Sequence, residues 1–590
     1  NQSNPLLAPA FQNKRNDIEN LNAALYLKIT LPLGFSIQTT YSPRFEWTNY
    51  LFHKAAASPD SGSQNGRVER THTKDFYWQW DNMLKWNKTF GKHAFDFTFL
   101  ANWEKFQRWH DEMTNENFLP TDELGYGGIG FGTSPNVSSD DVYRTGDAFM
   151  GRLHYVYDQR YLITATVRRD GYSAFGLANP RATFPAIALG WVFSEEKFLH
   201  RPDWFEYGKL RLSWGKNGNR AVGTYAAFMQ LAPRKYIYVD PATGSLVTAN
   251  TFYASTMANP NLKWESTTSW NIGTDLTFLK GRLSANLDVY KKITTDLLVS
   301  RELPSLIGYS SVMSNIGEVQ NTGVELSLNS TNIRMDKLTW RTSFSLAYNK
   351  NKITHLYGIM EDVKDADGNV IGQREADDIK NKRFIGHDID EIWDYKVVGI
   401  WQEEEREEAA KYGQQPGDVH LLDKDMNYKY DNTDKEFQGT TMPRLRWSMR
   451  NDFTLFKNFN ISFNMYSYIG HKKTLGRFTN DNALLNVTNQ IKRDYWTPEN
   501  RNNEYPRLAN KKPAGVSYAI YKNASFLRFD NISIGYTFPK KLIEPLRIQN
   551  LNVNATMKNA GYISGWPGYD PENSDANTPR VIYFGINLTL

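Results

Sequence analysis

The feature that most constrains the fold of this chain is a repeated alternation of apolar and polar residues with a period of two. The polar positions of this alternation are mainly Asn, Thr, Ser, Asp, Lys and Arg. Successive side chains of a β-strand point to opposite faces, so each such segment predicts a strand with one apolar and one polar face. The alternation is found at 95–103, 153–157, 161–167, 285–289, 324–328, 340–348, 461–465, 532–538, 551–557 and 582–590.

The connections between these strands distinguish a membrane barrel from a soluble sandwich, whose strands also alternate. Short connections such as 90–92 and 158–160 alternate with long ones such as 104–141 and 349–441, and the connection at 194–206 is of intermediate length. Transmembrane barrels have short periplasmic turns and long outer loops, whereas a sandwich has no reason to separate loop lengths by side. The sequence therefore predicts an all-β protein, a transmembrane antiparallel up-and-down β-barrel with about 17 strands in this chain.

The strand count predicts that residues 1–590 are the C-terminal part of one transmembrane β-barrel domain. About 17 is odd, and single-chain bacterial barrels have even strand numbers with both ends in the periplasm. The first strand (about 20–31) and the last both run toward the short-turn side, which would leave residues 1–19 outside. We therefore expect an odd number of further strands upstream. The longest extracellular loop regions are predicted at 350–441 and 471–525.

Composition excludes several other classes of protein. Apolar runs such as 186–193 reach only about eight residues, and a spanning helix needs about twenty. Cysteine is absent, which removes disulfides and thiolate sites. The net charge of +5 comes without a large basic block, so nucleic acid is not an expected partner. Aromatic residues make up 14% of a chain whose mean hydropathy is −0.59, as two-faced strands with aromatic girdles would produce.

Short motifs occur in order over most of the chain. They are RRDGYS (168–173), TFPA (183–186), LGW (189–191), LSWGKNGN (212–219), NPNLKWE (259–265), NIGEVQNTGVE (315–325), WTPEN (496–500), FLR (526–528), NISIGYTFP (531–539), GYDPE (568–572) and FGINLTL (584–590). Together they resemble the barrel of SusC/RagA-type TonB-dependent outer-membrane transporters of the Bacteroidetes. Leu590, where the family ends in an aromatic residue, is a small departure.

The resemblance implies a barrel of about 22 strands around an N-terminal plug, a size class of plugged outer-membrane transporters. Five strands, the plug and the segment that contacts TonB would then precede Asn1, and five is odd, as the strand parity requires. The resemblance also implies a SusD-like surface lipoprotein as partner, a dimeric SusC2D2 assembly as one arrangement, and uptake of oligosaccharides or oligopeptides.

Residues 423–434 place side-chain oxygens at five ligand positions of a calcium-binding loop, the clustering that hard cations prefer. These residues are Asp423, Asp425, Asn427, Asp431 and Asp434. The resembled family often has an EF-hand-like stretch here. However, Tyr428 stands where the turn of the motif has glycine, Asp434 replaces the usual glutamate, and Lys424 adds positive charge. These departures favour a solvated acidic loop, with a structural Ca²⁺ site as the alternative, and no other cofactor is expected.

Aromatic rings in the predicted loops are the candidates for substrate contact. They are Tyr126, Phe131, Tyr236, Tyr238, Tyr357, Trp393, Trp401 and Trp566. Rings on the apolar strand faces, such as those of Trp80 and Trp103, are assigned to the girdles at the lipid interfaces. Residues 403–412 predict a short helix with acid–base pairs, either a solvated face or a contact for the lipoprotein.

The predicted function is TonB-dependent import across the outer membrane, without enzymatic activity. Histidines are scattered, HExxH is absent, and no nucleophile elbow supports a serine triad. Two alternatives from other classes remain: an outer-membrane barrel acting in assembly or adhesion without active import, and a secreted β-rich glycan-degrading enzyme. A requirement for detergent and heat-modifiable gel migration would separate a barrel from the soluble enzyme.

Overall fold

β-Strands are the dominant element of the chain. The computed structural model describes residues 10–58, 64–118, 123–303, 305–309, 311–365, 367–474, 494–508, 510–573 and 576–590. Within these residues, none of the helices has the length and apolar character needed to cross a membrane. The α-helices described are α1 (Arg406–Lys411) and α2 (Lys540–Ile543).

Contacts divide the chain into two compact units. The first comprises Asn1–Trp191, Leu212–Trp270 and Ile293–Glu318. The second comprises Val192–Arg211, Asn271–Lys292 and Val319–Leu590. Each unit contains its own buried apolar cluster, described below.

The first sixteen strands include the longest of the chain. They are β1 (Gln12–Asn22), β2 (Leu25–Thr30), β3 (Phe35–Lys54), β4 (Arg67–Phe90), β5 (His93–Glu116), β6 (Asn136–Ser139), β7 (Val142–Tyr157), β8 (Tyr161–Tyr172), β9 (Arg181–Trp191), β10 (Phe205–Asn219), β11 (Gln230–Val239), β12 (Leu246–Thr256), β13 (Glu265–Phe278), β14 (Leu283–Thr295), β15 (Leu298–Glu302) and β16 (Ser311–Asn315). From β3 to β9 the strands pair antiparallel in sequence order, and β6 extends the pairing of β7 along β5.

The remaining strands belong to the second half of the chain. They are β17 (Glu318–Met335), β18 (Leu338–His355), β19 (Met360–Lys364), β20 (Val370–Glu375), β21 (Glu391–Tyr395), β22 (Val397–Ile400), β23 (Val419–Leu421), β24 (Lys435–Thr440), β25 (Leu445–Leu455), β26 (Phe459–Ile469), β27 (Lys472–Thr474), β28 (Tyr521–Asn523), β29 (Phe526–Thr537), β30 (Asn550–Ser564) and β31 (Val581–Thr589). The antiparallel series β18, β25, β26, β29, β30, β31 carries the wall of this unit.

The strand count confirms the predicted fold class. Nineteen of the described segments belong to one sheet. Because β1 and β2 both pair with β3, and β6 and β7 both pair with β5, each of these couples is one interrupted strand, which leaves 17 strands. The other described strands form small two-stranded sheets in the long connections, such as β11–β12 and β22–β23.

Short turns and long loops alternate as predicted. At the 158–160 turn, Asp158 and Gln159 have positive φ angles of 49° and 55°, and the amide of Arg160 donates to the carbonyl of Tyr157 at 3.0 Å. Two left-handed central residues define a type I′ turn, whose twist matches that of paired strands. Phe456 and Lys457 repeat the arrangement between β25 and β26.

Several strands extend beyond the predicted limits into the long-loop side. β5 continues to Glu116, well past the predicted loop start at 104, and β18 continues to His355. The 350–441 region contains α1 and the strands β19 to β24. The 471–525 region contains β27 and β28, and its residues 475–493 and 509 lie outside the described residues.

The apolar strand faces are exposed, which separates this fold from a soluble sandwich. Val167 is 54% exposed, and Ile187 and Ile534 are exposed in the same way on β9 and β29. A sandwich would bury these faces between its sheets, whereas a transmembrane barrel presents them to lipid. Trp80 and Trp103 lie on exposed faces with their ring centroids 5.6 Å apart, consistent with their assignment to a girdle.

We expect Val167→Arg to prevent stable folding in the membrane. Val167 lies near the middle of β8, where an arginine on the lipid face costs about 2–4 kcal/mol. Thr166→Arg on the same strand is the matched control, because Thr166 faces a polar cavity. The measurement is the heat-modifiable band on gels of outer-membrane fractions, and equal loss of that band in both variants would contradict the assignment of faces.

Candidate functional site

A polar cavity of about 620 Å³ lies against the strand faces opposite the exposed apolar band in the first unit. Several motifs that carry the family resemblance contribute to it. The lining residues are Tyr77, Gln79, Asp81, Leu100, Asn102, Glu104, Asp147, Thr166, Arg168, Asp170, Phe184, Ala186, Lys216, Asn217, Gly218, Arg220 and Trp264. Four motifs separated by up to about a hundred residues in sequence therefore meet on one wall.

A charge network organises this cavity around Glu104. The Arg220 guanidinium forms an ion pair with Glu104, and its second amino group donates to the other carboxylate oxygen at 3.3 Å. The Tyr77 hydroxyl also donates to Glu104 at 3.3 Å, and Arg220 lies 5.0 Å from the centre of the Tyr172 ring. The Glu104 carboxylate is thus held by two partners from distant parts of the chain, Arg220 and Tyr77, and Arg220 is itself held against the Tyr172 ring.

The other carboxylates of the cavity also have partners. Arg168 lies 2.8 Å from Asp170, Arg181 pairs with Asp147, and Asp81 accepts a hydrogen bond from the Asn102 amide at 2.8 Å. Charge-assisted hydrogen bonds of this kind fix side-chain geometry. The cavity therefore presents a rigid polar surface.

The buried cluster behind the cavity explains the glycine and tryptophan of the motifs. The Trp264 ring stacks on Phe175 with centroids 4.8 Å apart and meets the edge of Phe184 at 5.6 Å. A Cβ at Gly218 would lie 2.1 Å from the Phe184 ring, so any larger residue at position 218 would displace that ring. Close packing makes such a displacement costly.

Three of the predicted loop rings are buried in the second unit. Trp393, Trp401 and Trp566 are packed inside folded loops rather than presented to a ligand. Trp401 stacks on His420 with centroids 3.5 Å apart, and its indole N–H donates to Gln414 at 3.1 Å. Burial lowers the pKa of His420, which favours the neutral ring beside the indole. These tryptophans hold the loops together in this conformation.

The other predicted rings include the accessible ones. Tyr236, which is 60% exposed, and Tyr238 lie on β11 with nearly parallel rings 6.3 Å apart. Phe131 is exposed on the 3₁₀ helix Gly125–Phe131, which also contains Tyr126. The Tyr357 hydroxyl donates to Asp378 at 2.7 Å. Substrate contact by these rings stays a prediction.

The acidic loop brings together three of its five predicted ligands. Oxygens of Asp423, Asp425 and Asp434 lie within 4.8 Å of one another. Asp434 is buried and accepts from the amides of Lys424 and Asp431, both at 2.9 Å. Carboxylate oxygens at this separation fit a hard cation of the size of Ca²⁺.

The remaining positions of the loop behave differently from one another. Tyr428, which replaces the usual glycine, has a φ of 65°, so the backbone still makes the left-handed turn. Asn427 donates its side-chain amide to Asp425 at 2.8 Å and stays beside the cluster. Asp431 instead caps the following 3₁₀ helix by accepting from the Thr433 amide at 2.7 Å. The carboxylates at positions 1, 3 and 12 of the loop are therefore the residues that would hold a cation.

A buried ion pair joins the motifs FLR (526–528) and GYDPE (568–572), neither of which has a role predicted from the sequence. Arg528 and Asp570 are 3% and 1% exposed and lie 2.5 Å apart. Arg528 also donates to Asn559 at 2.5 Å and lies 2.9 Å from Glu572. The pair fixes the final long loop to β29. In the sequence, the only indication of this ion pair is one arginine and one aspartate, each inside a motif that also contains an aromatic residue.

Comparison with known proteins shows similarity over nearly the whole chain. A family model described as "TonB dependent receptor-like, beta-barrel" matches residues 1–560. The TonB-dependent receptor SusC of Bacteroides thetaiotaomicron is 32% identical over 75% of this chain and 43% of that protein. TonB-dependent receptor P3 of Formosa agariphila is 28% identical over 93% of this chain and 53% of that protein. The chain thus spans about half the length of these relatives.

A solved structure gives the same fold. The structure of the RagAB peptide transporter aligns with a TM-score of 0.81 and 20% sequence identity, covering 99% of this chain and 63% of that one. At this identity the likeness concerns the fold alone.

We expect Asp570→Asn to destabilise the final outer loop. The substitution removes the buried partner of Arg528 and leaves it only the partly exposed Glu572, and breaking a buried pair costs up to about 3–5 kcal/mol. Asp452→Asn is the matched control, because Asp452 pairs with Arg450 at 2.7 Å while both are exposed, a pair worth about 1 kcal/mol or less. Limited proteolysis of the folded protein should cut within 565–580 in the first variant only.

Proposed function

This chain belongs to the TonB-dependent receptor-like β-barrel family, whose members are outer-membrane receptors and transporters, and we propose that it provides the path by which a polar oligomer, an oligosaccharide or an oligopeptide, crosses the outer membrane. The observation that carries the proposal is the two-faced wall. In the first unit its apolar face is exposed on β8 and β9, and its opposite face carries the paired charges around Glu104. A polar interior behind a lipid-facing surface suits a hydrophilic solute.

The same proposal includes the partners of such an importer. A SusD-like lipoprotein would close over the long-loop side. TonB would act through an N-terminal region of the kind that the longer relatives have. The similarity to SusC and the fold shared with the RagAB peptide transporter support this arrangement. Exposed loop features that a lipoprotein or substrate could contact are α1 and the rings of Tyr236 and Tyr238. A dimeric SusC2D2 assembly is part of the proposal.

A structural Ca²⁺ in the acidic loop is a further part of the proposal. The three convergent carboxylates support it, and Tyr412, which donates its hydroxyl to Asp423 at 3.0 Å, links the cluster to the buried rings of the loop. Burial, together with that contact, raises the pKa of Tyr412, so the hydroxyl keeps its proton. A bound cation would fix the loop rather than perform chemistry.

We expect added Ca²⁺ to raise the thermal stability of the purified full-length protein, and chelation to lower it. Binding to the folded state alone stabilises by mass action. Asp434→Asn and Asp423→Asn should abolish the Ca²⁺-dependent shift in the melting temperature. Asp431→Asn is the control and should retain the shift, because Asp431 caps the 3₁₀ helix outside the cluster. A shift of equal size in all variants would refute the site.

We expect deletion of the gene to abolish uptake of one class of oligomer by intact cells. The measurement is accumulation of labelled oligosaccharides and oligopeptides in wild-type, deleted and complemented cells, with and without a functional TonB. Restoration by the full-length protein only when TonB is active would support active import. Uptake unaffected by deletion, together with a loss of surface assembly or adhesion, would favour the alternative role of the barrel.

A further inference from the structure

A second cavity, of about 470 Å³, lies within the second unit near the long-loop ends of β25 and β26. β25 begins at Leu445 after the long 350–441 region, and β26 ends at Ile469 before the next long loop. The cavity therefore lies where a solute arriving from outside would meet this wall. Its lining residues are Glu325, Leu326, Ser327, Ser345, Leu346, Ala347, Arg446, Trp447, Ser448, Asn464, Tyr466 and Tyr468.

Two opposite charges line this cavity without satisfying each other. Among the ion pairs of the described residues, neither Glu325 nor Arg446 has a partner. In the first cavity Glu104, Asp147 and Asp170 are each paired with an arginine, Asp81 accepts a hydrogen bond from the Asn102 amide, and Lys216 is the one charged lining residue without such a partner among the described residues. An acid and a base left unpaired in one cavity are available for a ligand.

The geometry around Arg446 is fixed by aromatic rings. Its guanidinium lies 5.3 Å from the centre of the Tyr468 ring. The rings of Tyr466 and Tyr468 both pack against Phe526, at 5.7 Å and 5.2 Å. The Tyr466 hydroxyl donates to Glu572 at 2.6 Å, so the final loop, anchored by Arg528 and Asp570, also holds this ring. Preorganised groups of this kind bind with less entropic cost.

We propose that this cavity binds a short zwitterionic peptide, with a carboxylate of the ligand on Arg446 and an ammonium group on Glu325. The proposal rests on the importer function proposed above and selects the oligopeptide over the oligosaccharide as its solute. A ligand that displaces water from both charges must supply an opposite charge to each, or leave a desolvated charge unpaired. A peptide supplies both, and a neutral oligosaccharide supplies neither. The cavity volume lies in the usual range of small-ligand sites, roughly 300–1,000 Å³.

The experiment measures binding to the purified full-length protein in detergent by calorimetry. The probes are trialanine, N-acetyl-trialanine, trialanine amide and maltotriose. We expect trialanine to bind at least about tenfold more tightly than either blocked peptide, the effect of one lost charge-assisted contact of about 1.4 kcal/mol. Maltotriose should bind more weakly still.

Variants locate the binding in this cavity. Arg446→Gln and Glu325→Gln should each weaken trialanine binding about tenfold. Arg446→Gln should also remove the preference for trialanine over trialanine amide, and Glu325→Gln should remove the preference for trialanine over N-acetyl-trialanine. Arg450→Gln is the control, because Arg450 lies on the same strand, pairs with Asp452 and does not line the cavity. It should bind trialanine like the unaltered protein.

Three results would overturn the proposal: equal binding of free and blocked peptides, tighter binding of maltotriose, or equal weakening by Arg450→Gln. These results are separable from failure of the importer function. If uptake by cells depends on the gene but trialanine and its blocked forms bind equally, only the peptide site is wrong. If no oligomer requires the gene for uptake, the importer function itself is wrong.

Discussion

The structure depends on the requirement that every backbone N–H and C=O group of a membrane-spanning segment be hydrogen-bonded inside the protein. Long antiparallel ladders meet it here, most clearly where β4 pairs with β5 from Arg67↔Glu116 to Phe90↔His93. With the backbone satisfied by neighbouring strands, each side chain is free to suit its own surroundings. Val167 can face lipid while its neighbours Thr166 and Arg168 face a polar cavity.

That freedom gives the polar face its character. Carboxylates and arginines accumulate there, and several are paired, either along one strand as Arg168 is with Asp170 or between distant parts of the chain as Glu104 is with Arg220. Pairing keeps the wall rigid and leaves few charges for a ligand. In the first cavity Asp81 has amide partners, and Lys216 is a single base without an ion pair among the described residues. The second cavity, in contrast, brings together an acid and a base, Glu325 and Arg446, that have no ion pair among the described residues, and this combination favours a ligand that carries both charges.

The long loops are folded structures with cores of their own. Ile400, Val419, Leu421 and Trp496 are buried in one cluster of the second unit, and the Arg528–Asp570 pair anchors the final loop beside it. Such loops can hold a surface in a fixed shape, which is what a partner or substrate on the outer side requires. The acidic loop at 423–434 is joined to the same cluster through Tyr412 and Tyr430.

The sequence by itself determined the two-faced strands, their number and the alternation of short and long connections, because these follow from the period-two pattern and from chain-local turn chemistry. The sequence also contains the motifs of the family, but it does not show which contacts those motifs make. Only the tertiary structure decided that Trp401 is buried while Tyr236 is exposed, and that Asp434 joins the acidic cluster while Asp431 becomes a cap. Those outcomes depend on contacts between residues far apart in the chain, such as the one between Arg528 and Asp570, and no local pattern of residue types specifies which distant partners will meet.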